Sequence, residues 1–131
     1  MMKPFNIISA MDSPKLFQKS FVGGSWNPWR TILKAAYALP MNEVEKEFFH
    51  SIAGGRDPPT KKVCELWVVG GRRGGKDSVS SLIMAHTAAL FSKDRRLRGG
   101  EIPLCVALAT DRDQAKIILN YTKSYFAEIP A

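Results

Sequence analysis

The feature that most constrains this chain is the nine-residue run Gly70-Gly71-Arg72-Arg73-Gly74-Gly75-Lys76-Asp77-Ser78. Four glycines allow positive backbone angles that other residues avoid, so the run reads as a tight turn. Its flanks say what it joins. Val63-Cys64-Glu65-Leu66-Trp67-Val68-Val69 is short, β-branched and aromatic, and reads as a largely buried strand. After the turn, Val79, Leu82, Ile83, His86 and Leu90 recur at helical spacing. A second strand-like run, Ile102 to Ala109, leads into a helix with Ala115, Ile118, Leu119, Thr122 and Phe126 on one face. Thr110 is placed to cap that helix, with Asp113 three positions on. Strand, loop, helix, strand, helix is the order of an α/β protein with parallel strands.

Upstream, the pattern divides the chain into three parts. Residues 1–27 have weak periodicity, with Pro4, Pro14 and Gly23-Gly24, and read as an N-terminal arm with one short helix near Pro14–Lys19. Residues 28–62 read as a helical hairpin and connector. Trp29, Ile32, Leu33, Ala36 and Tyr37 make the first stripe, and Pro40 stops it. Asn42 and Glu45 have capping-box spacing, Val44, Phe48 and Ile52 make the second stripe, and Gly54-Gly55 closes it. Residues 63–131 form the strand–loop–helix part.

With 19 Lys+Arg against 12 Asp+Glu, the net charge of +7 points to polyanionic partners. Arg72, Arg73 and Lys76 form one basic knot. Lys93, Arg95, Arg96 and Arg98 form another that ends in Gly99-Gly100 and reads as a solvated loop. No apolar run is long enough to span a membrane, and no secretory signal opens the chain. Cys64 and Cys105 lack zinc or disulfide spacing and read as two buried free thiols. His50 and His86 have no acid or nucleophile at a telling spacing and read as structural.

The glycine run fits the phosphate-loop pattern G-x-x-x-x-G-K-[ST] at Gly70, Gly75 and Lys76. In such a loop, amides around Gly70, Gly71, Gly74 and Gly75 point into one anion-binding hollow, and the following helix adds the positive end of its dipole. Lys76 would reach the β- and γ-phosphates as a point charge. Asp77 departs from the pattern by standing where Ser or Thr ligates magnesium. Either Asp77 or Ser78 takes that position, or metal binding is weak. Arg72 and Arg73 are unusual inside the loop; one can stabilise transition-state charge near the γ-phosphate, or point to solvent.

Four segments resemble the N-terminal part of the large subunit of a tailed-phage terminase: Phe21–Arg30, Leu33–Met41, Glu65–Ser78 and Ala109–Ile117. The resemblance covers roughly residues 16–129. It implies a partial P-loop NTPase of the RecA-like, additional-strand type with an N-terminal helical segment. In that family the activity is an ATPase that drives viral DNA into procapsids. By position, the resemblance gives catalytic roles to Lys76, Arg72 and Arg73, and phosphate contacts to Gly70, Gly71, Gly74, Gly75, Lys76, Asp77 and Ser78. It also implies ATP and Mg2+ as cofactors, with Asp77 or Ser78 on the metal. Its implied partners are double-stranded viral DNA, the portal protein and the terminase small subunit, in the host bacterial cytoplasm. The helices upstream of the loop lie where the family places adenine contacts, but no single residue there transfers, and Trp26 and Trp29 read as core.

The family's second ATPase motif, an apolar strand ending in Asp-Glu, has no counterpart after Ser78. Ile102–Ala109 ends instead in Thr110-Asp111-Arg112-Asp113. The C-terminal nuclease acids are absent as well. The expectation is a fragment, truncated frame or split-gene product, from a phage or prophage, that does not hydrolyse ATP alone and depends on a chain carrying the rest of the ATPase. Two alternatives compete: another P-loop enzyme such as a nucleotide kinase, and a non-catalytic basic DNA-binding module whose glycine turn is structural.

Overall fold

The computed structural model describes residues 5–90 and 97–129. Among the described residues, five α-helices follow in order: α1 (Ile7–Asp12), α2 (Asn27–Ala36), α3 (Glu43–Ile52), α4 (Lys76–Leu90) and α5 (Arg112–Ala127). Short 3-10 turns lie at Gln18–Ser20 and Gly24–Trp26. No strand is present among the described residues.

That absence corrects the expected α/β, RecA-like P-loop architecture. The runs at 63–69 and 102–109 have the composition of strands but form no ladder with each other or with any other described segment. A strand exists only as one member of a hydrogen-bonded pair, and β-branched apolar residues cannot supply the partner. The outcome is visible in exposure. Trp67 is 89% exposed and Leu108 88%, with Val69, Ile102 and Leu104 similarly open. The two cysteines follow the same logic: both are free as expected, but both are exposed because the segments that carry them are uncovered.

The core is helical and begins in the arm. Asn6 caps α1 by accepting the Ser9 N–H at 2.9 Å. Ile7, Ala10 and Met11 then share one face and are fully buried. Phe17 and Phe21 follow from the turns after it, where the short helix near 14–19 was expected. These five pack with Leu33 of α2, with Val79, Leu82 and Ala85 of α4, and with Tyr125 of α5. The core thus draws on all three segments read from the sequence. Arg30 locks the arm to α2. Its guanidinium donates to Asp12 Oδ1 at 2.7 Å and 3.1 Å, to the Phe21 carbonyl at 3.1 Å and to the Gly23 carbonyl at 3.3 Å.

The helix boundaries have local causes. Pro28 occupies the first turn of α2, where its missing N–H costs nothing. The helix ends before Pro40 through a left-handed Ala38 at φ +51°, with the Leu39 N–H donating back to the Lys34 carbonyl at 2.8 Å. Asn42 and Glu45 form the complete capping box of α3, both bonds at 2.9 Å. Lys34 reaches across to Glu45 at 2.6 Å and joins the hairpin. The α5 cap falls one residue later than expected: Asp111, rather than Thr110, accepts from the Gln114 N–H at 2.9 Å. The buried face of α5 is correspondingly turned toward Thr122 and Tyr125, leaving Leu119 and Phe126 substantially exposed.

Candidate functional site: the Gly70–Ser78 loop

Helix α4 starts at Lys76, immediately after Gly75 at φ +78°. The amides of Lys76, Asp77 and Ser78 open the helix and have no acceptor within it, so they form the positive end of the helix dipole. The first intrahelical acceptor is the Gly75 carbonyl, bonded to the Val79 N–H at 3.0 Å. Arg73 adopts φ +60°, rare for a residue with a side chain. Backbone held in that region costs roughly 1–3 kcal/mol and clusters at functional sites.

The Lys76 side chain folds back over the loop. Its ammonium donates to the Gly70 carbonyl at 2.8 Å and the Gly71 carbonyl at 2.9 Å. Gly71 also accepts the Gly74 N–H at 3.3 Å, which closes the turn internally. The Gly74 amide, expected to face phosphate, is therefore engaged within the loop. Gly70, Gly71, Arg72, Arg73, Lys76 and Asp77 are exposed, while Gly75 and Ser78 are half-buried. Neither Arg72 nor Arg73 makes an ion pair among the described residues.

Three contacts hold the loop on the core. The Trp29 indole N–H donates to the Gly74 carbonyl at 2.6 Å. The Trp26 ring packs so closely on Gly75 that a Cβ there would lie 2.7 Å from it. The Tyr125 hydroxyl donates to the Ser78 carbonyl at 3.1 Å; burial, outweighing that bond, pushes this hydroxyl up to about 12. Behind them, Ser81 donates to the Asp77 carbonyl at 2.6 Å and sits within 3.0 Å of the Ile118 carbonyl, stitching α4 to α5. Trp26 and Trp29 are half-buried against the core, as their reading as core residues requires. The Trp29 contact with the loop spans 45 residues and carries no local sequence signal.

Beside the loop, a cavity of about 570 Å³ opens between α2, α3 and the 66–70 segment, with Gly70 and Gly74 on its rim and Phe48, Phe49, Trp67 and Trp29 among its walls. Of the expected apolar stripe of α3, Phe48 is half-buried at the cavity, while Val44 and Ile52 are exposed. His50 bonds Asp57 at 3.1 Å near that cavity. His86 departs from a satisfied histidine: it is 7% exposed and, among the described residues, its Nε2 has no hydrogen-bond partner. Burial, helped by the charge of Lys62, holds its pKa below the ordinary value.

For a metal, the residues fit only in part. Among the described residues no three acids, histidines or cysteines cluster. Asp77 is an exposed carboxylate at the head of α4, able to serve a magnesium ion whose other ligands are phosphate and water. Of the second basic knot, Lys93, Arg95 and Arg96 lie outside the described residues. Arg98 stands at a turn closed by the Glu101 N–H on its carbonyl at 3.1 Å. No helix among the described residues is long and apolar enough to cross a membrane.

Compared with protein-family models, curated proteins and solved structures, the chain matches none of them.

Proposed function

We propose that the Gly70–Ser78 loop binds the phosphates of ATP, and that the chain is the nucleotide-gripping N-terminal part of a phage terminase large subunit, the motor that packages viral DNA. The observation that carries the phosphate reading is the convergence at Lys76. One residue places a flexible ammonium over the loop carbonyls and opens a fifteen-residue helix whose first amides have no internal acceptor. A mobile cation and a helix N-terminus at one point suit a polyphosphate better than a neutral ligand.

Arg72 and Arg73, exposed on the same loop, supply further positive charge for a triphosphate. Magnesium would arrive with the nucleotide, with Asp77 or Ser78 as its protein ligand. The terminase assignment rests on the four sequence segments. By the same resemblance, the partners are viral duplex DNA, the portal protein, the small subunit and a chain carrying the Asp-Glu motif, in the host cytoplasm.

The test is equilibrium binding of ATP and of inorganic tripolyphosphate to the purified chain, by calorimetry, with and without magnesium. Binding should be lost, at least tenfold, in Lys76→Ala. Duplex DNA binding that is salt-dependent and indifferent to ATP, with no polyphosphate binding, would replace this reading with the basic DNA-binding module.

A further inference from the structure

We infer that Trp29 is the positioning residue of the loop, with Trp26 as its backstop. The inference rests on the phosphate reading above and names what aims the loop's amides. A peptide unit is planar and trans, so its C=O and N–H point in opposite directions. Trp29 draws the Gly74 carbonyl toward α2 through a 2.6 Å bond from its indole N–H. The N–H of the same peptide unit belongs to Gly75, and it must therefore point away from α2, toward the open side of the loop. There the amide of Gly75 adds to those of Lys76, Asp77 and Ser78 at the start of α4. Aiming one carbonyl inward would oppose the anion; holding it outward removes that opposition and supplies a donor at once.

Trp26 fixes the other degree of freedom. Its ring lies against the Cα of Gly75, where an added Cβ would come within 2.7 Å and 3.0 Å of two ring carbons. The ring thus leaves room at this position for glycine alone, and any side chain there would have to displace it. The ring is itself braced edge-on by Phe21 at 4.9 Å between centroids. The chain of support runs from a fully buried arm residue, through an indole, to the backbone of the loop. Trp29 reaches the ligand only through that backbone, so it acts by positioning.

The experiment uses the full chain, labelled with ¹⁵N, and inorganic tripolyphosphate as the probe. Three indole N–H resonances are expected, assigned by single Trp→Phe substitutions. Tripolyphosphate should shift the Trp29 indole resonance and leave that of Trp67, which is exposed and off the loop, in place. Trp29→Phe keeps an aromatic ring, smaller than the indole, and removes the donor. It should weaken tripolyphosphate about tenfold, the scale of one lost hydrogen bond of about 1.4 kcal/mol, while Trp67→Phe leaves affinity unchanged. An unmoved Trp29 resonance at saturation, or a folded Trp29→Phe chain with wild-type affinity, overturns the inference while leaving the phosphate reading standing. If Trp29→Phe does not fold, the wild-type resonance alone decides. If the wild-type chain binds neither tripolyphosphate nor ATP, the phosphate reading falls, and this inference with it.

Discussion

Substituting Gly75 by alanine tests the loop's geometry without reference to any ligand. Two costs add. At φ +78° an L-residue in left-handed backbone is disfavoured by roughly 1–2 kcal/mol. The new Cβ would also stand 2.7 Å and 3.0 Å from Trp26 ring carbons and 3.3 Å from Trp29 Nε1. The ring cannot swing freely, because Phe21, buried to 1% exposure, lies edge-on against it. Overpacking of this kind costs typically about 1–3 kcal/mol. Against these, alanine restricts the unfolded chain and returns about 0.4–1 kcal/mol. The net expectation is a loss of roughly 2–4 kcal/mol, small terms drawn from a total that is itself modest for a domain. Gly71→Ala is the control within the same loop, since a Cβ there meets nothing within 4 Å and no positive φ is required. Its stability should be unchanged or slightly raised. Urea unfolding followed by tryptophan fluorescence measures both. A difference between the two variants of less than about 1 kcal/mol would refute the argument that Trp26 and left-handed backbone together define the loop.

Two further outcomes follow from the helices around the loop. Asn42→Ala removes one half of the α3 capping box and should cost about 1 kcal/mol in urea unfolding. Asn42→Asp should retain most of it. His86, buried with an Nε2 unpartnered among the described residues and a pKa below its ordinary value, favours the neutral ring in the folded chain. The unfolded chain therefore binds the extra proton first, so stability is greatest above the ordinary histidine value and declines as pH falls through the folded one. His86→Leu should flatten the unfolding midpoint across that window; an unchanged slope would place the dependence elsewhere.

What could be read in the sequence was what neighbours decide. The capping box at Asn42 and Glu45, the α4 stripe through Val79, Leu82 and His86, and the glycine-rich entry to α4 are all set within one or two helical turns. The missing sheet was not legible, because composition detects a chain suited to a strand and is silent on whether a partner offers a ladder. The arm was misjudged for a different reason. Ile7, Ala10 and Met11 have helical spacing, but over six residues the pattern is too short to stand out, and their burial depends on α2 and α4. Asp111 displaced Thr110 as the α5 cap, within the usual one- or two-residue uncertainty of helix ends. For the site, residue types were readable, but the indole bond to Gly74 was not, since it joins positions 45 apart.

Those separations also order the folding of the loop. The bond from Trp29 to Gly74 spans 45 residues and that from Tyr125 to Ser78 spans 47, one reaching upstream and the other downstream. Closing such long spans costs chain entropy before any contact rewards it. The bonds inside the loop are local, from Lys76 to Gly70 and Gly71 and from Gly74 to Gly71. Its two anchors wait on α2 and α5 being brought to the start of α4, so anchoring is expected to form late in folding. A nascent chain that has emerged only as far as α4 holds both tryptophans but lacks the Tyr125 anchor, so its loop is fastened on one side alone.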